Sequence, residues 1–325
     1  MKAMPKKVSV IICTYNYGRF LRQCLETVLG QTRPANEVIV VDDGSEDETP
    51  EVVSAFRSVC YLRQENAGKA AAFNRGFEAA TGDIICHLDA DDYWLPDKLE
   101  RVTEVLSRGQ TGGLIHEALY IDGKGNYLYG SGLEVRSSLV LRRFSLRDVL
   151  VMCFMYRPRN TIAGSLGVAN TICVRKEAVA DIFPLPVEIG LAVDGALLLG
   201  AARRGLVYLS EKLSAYRHHG NNSFVGNARS YESQRGLFKW IPNIPGVMSV
   251  EVQRLSRALL LETEVQSAMR RNKEPLRTAY QAIVLNTKLV QLGLVPHWKH
   301  LGLSIGSLIG WERIRRALSR GNNRR

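Results

Sequence analysis

The sequence predicts an α/β protein with an open, doubly wound and mostly parallel sheet, followed by a helical C-terminal extension. In the first hundred residues, short apolar runs of strand length alternate with segments of helical periodicity. The runs are continuous, as expected for parallel strands that are covered on both faces. Crossovers between parallel strands are right-handed, so this order gives a sheet with helices on two sides. Acidic clusters follow two of the strands, which predicts a ligand site at the carboxyl edge of the sheet.

The predicted elements follow one another closely along the chain. Apolar runs predict strands at 8–13, 37–41, 59–63 and 83–88. Helical spacing and helix-start signals predict helices over 20–29, from Thr49, over 69–80 and near 96–107. Further along we predict a hairpin at 114–121 and 126–129, strands at 170–174 and 206–209, and a helix over 194–204. From about residue 231 onward the patterns are helical.

Charge divides the chain into two regions. The net charge of +11 comes from residues 221–325, which hold 17 Lys and Arg against 6 Asp and Glu, while residues 1–220 are neutral. We predict an α/β domain over 1–225 and a basic helical region over 226–325. Tryptophans and leucines at 298–318 mark one side of a helix flanked by Lys and Arg, which predicts either an anionic membrane partner or a packing and dimerisation helix. The tail shows no nucleic-acid recognition motif.

Targeting and cysteine patterns indicate the cytoplasm. Residues 1–7 lead straight into a strand, so no signal peptide is predicted, and the apolar stretch 301–311 is too short to span a membrane. The six cysteines lack C-x-x-C and metal-type spacing, and most lie in apolar stretches. We therefore expect structural thiols in a reducing compartment. The protein is expected to be cytoplasmic, either free or on the cytosolic face of a membrane.

Two acidic clusters should meet at the carboxyl edge of the sheet. Asp42-Asp43 follows the second predicted strand and Asp89-Ala90-Asp91-Asp92 follows the fourth, so they should converge although 47 residues separate Asp42 from Asp89. Carboxylates packed together need a cation or hydrogen-bond donors, and Mg²⁺ or Mn²⁺ prefers such oxygen ligands and would bridge a diphosphate. The alternative is a solvated turn with one Asp capping the next helix. Neither the dinucleotide-binding nor the P-loop motif is present.

The order and spacing of these motifs resemble glycosyltransferase family 2. The resemblance lies in V-S-V-I-I-C-T-Y-N at 8–16, V-V-D-D-G-S at 40–45, N-A-G at 66–68, N-R-G at 74–76 and H-L-D-A-D-D at 87–92. It is strong over residues 7–100, looser over 160–223 and absent from the tail. It implies a GT-A fold and a metal-dependent enzyme that transfers a sugar from a nucleotide-sugar with inversion, UDP-sugars being the commonest donors in the family.

The resemblance also implies roles for individual residues. The nucleotide and donor would be held by Thr14, Tyr15, Asn16, Asp42, Asp43, Arg75, Asp89, Ala90 and Asp92. Asp91 would hold the metal, and His219 would touch the metal or the diphosphate. Relatives often have Arg at the position of Phe73, which is why a phosphate contact would fall to Arg75. Plainer alternatives are packing by Tyr15, capping of the Gly44-Ser45 turn by Asp43, and exposure of His219. Lys69 could reach a phosphate or lie in solvent.

The candidate general base is Asp194, at the start of the helix predicted over 194–204. Relatives commonly have Glu-Asp at this place, where this chain has Val193-Asp194. As a base, Asp194 would take the proton of the acceptor hydroxyl. The alternative is a helix cap, since Asp is common at helix N-termini.

We therefore predict an inverting, metal-dependent glycosyltransferase of the hexosyl or N-acetylhexosaminyl type. Its acceptor would be a surface glycan, a lipid-linked saccharide or a protein, and a homo-oligomer stays open. One alternative is a non-catalytic nucleotide-sugar or glycan-binding protein, favoured by Val193 and Phe73. The other is a nucleotidyltransferase, which would need a Gly-rich, basic first loop that residues 14–18 lack.

Overall fold

The computed structural model describes residues 6–108, 111–130, 142–144, 169–220 and 228–247, together with four isolated positions. The chain divides into two compact units, 1–247 and 248–325, and the fold below is that of the first. The predicted boundary at 225 stays a prediction. The apolar helix side predicted over 298–318 lies outside the described residues. No helix in the described part is long and apolar enough to cross a membrane.

The described strands form one mixed sheet. They are β1 (Val8–Thr14), β2 (Glu37–Asp42), β3 (Val59–Arg63), β4 (Ile84–Asp89), β5 (Tyr93–Trp94), β6 (Gly113–Asp122), β7 (Tyr127–Gly130), β8 (Arg142–Phe144), β9 (Ile172–Arg175) and β10 (Leu206–His218). Their order across the sheet is β3-β2-β1-β4-β9-β6-β10-β5, with β7 beside β6 and β8 beside β10. The mixed α/β sheet confirms the predicted fold class, and the predicted hairpin is β6–β7.

The described helices pack around this sheet. They are α1 (Gly18–Leu29), α2 (Thr49–Ser54), α3 (Lys69–Ala79), α4 (Lys98–Arg108), α5 (Lys176–Val179), α6 (Val193–Ala202) and α7 (Ala228–Trp240). Short 3₁₀ turns cover Ala169–Thr171, Ala180–Ile182, Val187–Ile189 and Ile241–Asn243. Within this unit, α7 packs closely on the 3₁₀ turn at Val187–Ile189. A Cβ at Gly236 of α7 would lie only 2.0 Å from the carbonyl oxygen of Glu188.

The parallel part of the sheet brings the acidic clusters together. β1 lies between β2 and β4 and is parallel to both, with Thr14 opposite Asp42 and Cys13 opposite Asp89. β3 extends this part in parallel on the outer side of β2. The carboxyl ends of β1, β2 and β4 therefore meet at one edge, as the order of strands and helices predicts.

Close packing between α3 and the sheet depends on Gly76. A Cβ at Gly76 would lie 2.6 Å from Cγ2 of Ile11 and 3.1 Å from Cγ2 of Val41, so a larger residue would push the helix away from β1 and β2. On the other face, α1 buries Leu21 and Leu25 against the core. Burying such a side chain contributes about 1.5–3 kcal/mol. The helices thus fix the sheet edge on which the site is built.

The last strand is longer than the sequence predicts. Four residues were expected at 206–209, but β10 runs from Leu206 to His218 and pairs with β6 in parallel. The pairing register shifts between Leu209 and Ser214. The polar residues 210–212 in this irregular stretch interrupt the apolar pattern, which hid the continuation of the strand. Tyr216 to His218 therefore lie in this strand.

Candidate active site

Polar side chains form two clusters at the carboxyl edge of the sheet. The β2 corner comprises Asp42 and Asp43 with the loops 14–18, 44–47 and 64–68. The β4 corner comprises residues 89–92 with the side chains that contact them or their neighbours, which are Lys69, His87, Asn170, Asp194, Arg217 and His219.

Asp42 is fully enclosed in the β2 corner, with 0% exposure. Its Oδ1 accepts the backbone N–H of Ser45 at 2.8 Å, and its Oδ2 accepts the hydroxyl of Tyr61 at 2.5 Å. Burial and this hydrogen bond raise the pKa of Tyr61, so the phenol stays protonated and donates. Asp42, and not Asp43, therefore receives the hydrogen bond of the Gly44-Ser45 turn.

Asp43 organises the loop that leads into α3. Its Oδ1 accepts hydrogen bonds from the side-chain amide of Gln64 at 2.8 Å and from the backbone N–H of Ala67 at 2.9 Å. Its Oδ2 accepts the N–H of Gly68 at 2.8 Å. Gly68 has φ +89°, a left-handed conformation that suits glycine. One carboxylate thus holds the whole N-A-G loop in place.

The loop after β1 presents one open aromatic ring. Tyr15 is 45% exposed, whereas Asn16 has φ 59° and is held by the turn after β2. The N–H of Asn16 donates to Oγ of Ser45 at 2.9 Å, and its Oδ1 accepts the N–H of Glu46 at 2.8 Å. Asn tolerates this conformation better than most residues. The Oγ1 of Thr14 is buried and has no hydrogen-bond partner within the described part of the chain.

Arg75 lies near the β2 corner but already has a protein partner. Its Nη1 donates to the carbonyl oxygen of Arg63, at the end of β3, at 2.6 Å. A phosphate contact by Arg75 stays a prediction.

Lys69 connects the two carboxylates of the β4 corner that come from different halves of the chain. Its Nζ lies 2.7 Å from Oδ1 of Asp89 and 3.9 Å from Oδ1 of Asp194. Burial lowers the pKa of Lys69, but the charges of Asp194 and Asp89 outweigh it and raise the pKa overall. Burial raises the pKa of Asp89, but the charge of Lys69 and then that of His87 outweigh burial and lower the pKa overall. Lys69 is thus an ion-paired group, not a solvated helix residue.

His87 bridges the same two carboxylates. Its Nδ1 lies 2.9 Å from Oδ1 of Asp194, and its Nε2 lies 3.6 Å from Oδ1 of Asp89. The ring of Phe73 meets the imidazole edge-on, with 4.7 Å between ring centroids. Phe73, where relatives often have Arg, therefore packs on His87 and buries it. No role was predicted for His87 from the sequence. The signal that could have indicated one is its spacing: His87 and Asp89 are two residues apart in a strand, so their side chains share one face of the sheet.

Asp194 occupies the first turn of α6 but does not precede it. The helix begins at Val193, and the residue at its N-cap position is Ala192. The Asp194 carboxylate contacts His87 and Lys69 across the site, 107 residues from His87 in sequence. These contacts bring Asp194 to the acidic cluster, as its predicted catalytic role requires, and they favour that role over a cap.

Asp91 and His219, the two residues predicted to lie at a metal, contact each other. Oδ2 of Asp91 lies 2.9 Å from Nε2 of His219, whose side chain is only 6% exposed. The rings of Tyr17 and Phe20 pack against His219 at centroid distances of 5.7 and 5.1 Å. The separation of Asp91 and His219 is that of a hydrogen bond between the two side chains, and a cation held by Asp91 with His219 stays a prediction. In the described ranges no group of three His, Cys, Asp or Glu could hold a metal, so the remaining ligands would come from a bound diphosphate and water.

Asp92 ties the D-x-D segment to the second half of the chain. It is 1% exposed, and it accepts the N–H of Arg217 at 2.8 Å and the side-chain amide of Asn170 at 2.9 Å. Arg217 also donates from Nε to the carbonyl oxygen of Asp91 at 2.8 Å. Burial and the charges of Asp91 and Asp89 raise the pKa of Asp92 well above its usual range. Ala90 is buried too, so its predicted contact with the nucleotide-sugar would be made by its backbone.

Comparison with known proteins agrees with this geometry. The sequence profile of Glycosyl transferase family 2 matches residues 9–159. An uncharacterised glycosyltransferase of Nostoc sp. (strain PCC 7120) is 33% identical over 236 residues, which cover 70% of each chain. The crystal structure of S. aureus TarS 1–349 with UDP has a TM-score of 0.58 at 20% identity, and the match covers 93% of this chain and 87% of the TarS 1–349 chain. The complex with UDP-GlcNAc gives 0.62 at 16%, covering 94% and 92%.

The likeness to TarS, at these identities, shows the fold alone. The Nostoc relative is similar over more than two thirds of both chains. The profile match runs from the second residue of β1 past β8 and includes both acidic clusters of the sheet edge. The chain belongs to glycosyltransferase family 2 and has the GT-A fold.

Proposed function

We propose that this glycosyltransferase transfers a sugar from a UDP-sugar to an acceptor hydroxyl, with inversion at the anomeric carbon and with Mn²⁺ or Mg²⁺ bound. The observation that carries the proposal is the convergence of Asp89 and Asp194, which Lys69 and His87 both approach, at the sheet edge that also carries Asp91. The proposed donor-binding residues and the proposed proton acceptor would then lie side by side, as a single displacement requires.

The β2 corner supports the nucleotide end of the proposal. Tyr15 offers an exposed ring for stacking on a base, and the buried Oγ1 of Thr14 lacks a hydrogen-bond partner among the described residues. Both lie at the end of β1, next to the β4 corner. TarS, a structural neighbour, was crystallised with UDP and with UDP-GlcNAc, which favours a UDP-sugar as the donor.

The β4 corner supports the metal and the base. Asp91 and His219, which contact each other, would hold the cation. When bound, Mn²⁺ or Mg²⁺ would stabilise the negative charge of the leaving diphosphate. Asp194 would take the proton from the acceptor hydroxyl while that oxygen bonds to the anomeric carbon. The bond from the anomeric carbon to the diphosphate breaks at the same time, so UDP leaves.

A donor panel tests the proposal. UDP-, GDP- and dTDP-sugars are incubated with the full chain and Mn²⁺, with and without glycan and lipid-linked acceptors, and nucleotide release is measured. We expect release from a UDP-sugar that rises with acceptor, and NMR of the product should show the inverted anomer. Tight donor binding without release on any acceptor would indicate a binding protein. Pyrophosphate release from a nucleoside triphosphate and a sugar phosphate would indicate a nucleotidyltransferase.

A further inference from the structure

The charge balance of the β4 corner singles out Lys69. The side chain is 15% exposed, and its ammonium lies between the carboxylates of Asp89 and Asp194, at 2.7 and 3.9 Å. In the proposed function these carboxylates belong to the donor end and the acceptor end of the site. Within the described residues, Lys69 is the one Lys or Arg that forms an ion pair with either of them.

The helical neighbour of Lys69 on α3 carries no charge that could replace the ammonium. Residue 73 lies one turn further along α3, on the face that carries Lys69. It is the buried Phe73, whose ring packs on His87. His87 also lies near both carboxylates, but only its Nδ1 is hydrogen-bonded, to Asp194; its buried Nε2, 3.6 Å from Asp89, has no hydrogen-bond partner among the described residues.

We propose that Lys69 is a positioning residue that ties the donor end of the site to its acceptor end. The inference rests on the proposed function. One ammonium attracts both carboxylates, whereas without the ammonium they repel each other. Lys69 therefore holds the base at a fixed place relative to Asp89. A displacement of about 1 Å at a reacting group can cost about 10²-fold in rate.

Kinetics on the full chain separate this role from a phosphate contact. Lys69→Met keeps the length of the side chain and removes its charge, while Lys69→Arg keeps the charge. We expect Lys69→Met to lower kcat by about 10- to 100-fold with less than about a threefold change in the KM for donor. Lys69→Arg should recover kcat to within about threefold. Lys239→Met, at an exposed lysine of α7, is the matched control and should behave as wild type.

Calorimetry with UDP and with uridine, both with Mn²⁺, completes the test. A positioning role predicts that Lys69→Met changes the two affinities by the same factor. A larger loss for UDP than for uridine would make Lys69 a phosphate ligand and overturn the proposal. Wild-type kcat in a folded Lys69→Met protein would also overturn it.

A measurement without donor keeps the two hypotheses separate. Thermal unfolding is compared for wild type, Lys69→Met, Asp194→Asn and the double variant. Coupling predicts that the Tm shift of the double variant differs from the sum of the single shifts by about 2 °C or more. Additive shifts would show that Lys69 and Asp194 do not interact, which refutes the inference whatever the substrate. A wild-type chain that releases no nucleotide from any donor would refute the proposed function instead.

Discussion

The β2 corner and the β4 corner hold their carboxylates in different ways. In the β2 corner, Asp42 and Asp43 accept hydrogen bonds from backbone N–H groups and neutral side chains that lie within 25 residues in sequence. In the β4 corner, Asp89, Asp91 and Asp194 are held by Lys69 and by histidines that lie up to 128 residues away. The first corner is built from residues close in sequence, and the second is an assembly of ion-paired side chains from distant segments. Substitutions in the first should affect binding and stability, and those in the second should affect chemistry.

The largest effect is expected for Asp194→Asn. Asn keeps the shape of the side chain but cannot take the acceptor proton, so transfer should fall by about 10²–10⁴-fold. The measurement is kcat by UDP release, with circular dichroism to confirm the fold. Asp181→Asn, at an exposed Asp that pairs with Arg203, is the control and should retain activity. Near-normal transfer by a folded Asp194→Asn enzyme would exclude Asp194 as the base.

Removal of the metal should come next in size. Asp91→Asn or excess EDTA should reduce transfer by about 10²–10³-fold, and Mn²⁺ or Mg²⁺ should restore the chelated wild type. Asp97→Asn, at an exposed position six residues along, should leave metal dependence unchanged. Full activity in excess chelator would refute a role for the cation, and with it the contrast between the two corners.

A smaller, different effect is expected for Asp43→Ala in the β2 corner. The substitution leaves the donors of Gln64, Ala67 and Gly68 without their acceptor. We expect a loss of about 1–3 kcal/mol in the free energy of unfolding and a higher KM for donor, with kcat at saturating donor nearly unchanged. Urea unfolding and steady-state kinetics measure these quantities. A fall in kcat as large as that of Asp194→Asn would show that the two corners do not divide binding from chemistry.

The smallest effect is expected for Asp47→Ala, in the turn after β2. Oδ2 of Asp47 accepts the N–H of Gly18 at 2.9 Å, and Oδ1 accepts the hydroxyl of Thr49 at 2.6 Å. Burial raises the pKa of Asp47, but these hydrogen bonds outweigh it and lower the pKa. A lowered pKa stabilises the fold above the unfolded pKa of about 3.9, and the contribution is lost as pH falls below it. We expect a destabilisation of about 1 kcal/mol at pH 7 that becomes smaller as the pH falls below about 3.9. A pH-independent difference would contradict it.

Predictability from the sequence follows the same division. The strands β1 to β4 could be predicted, because apolar periodicity is a local property of the sequence. The placement of Asp42 and Asp89 at the same edge of the sheet could be predicted too, because strands and helices alternate along this part of the chain. That Asp42 binds the Gly44-Ser45 turn while Asp43 binds the 64–68 loop depends on which way each side chain faces, which the order of two adjacent residues does not reveal. The contact of Asp194 with His87 and Lys69 joins segments more than 100 residues apart. The sequence shows that these residues can carry charge, but only the folded structure shows which of them form pairs.

The hydrogen bonds of Asp92 have a mechanical consequence. Through the N–H of Arg217 and the amide of Asn170, this carboxylate fastens the D-x-D segment to β10 and to the 3₁₀ turn before β9. The segment is therefore an anchored rim instead of a hinged flap. A donor has to enter along a path that leaves this rim in place. A substitution on β10 that shifts Arg217 would displace the D-x-D segment as well, so a change on that strand would reach the predicted donor end of the site.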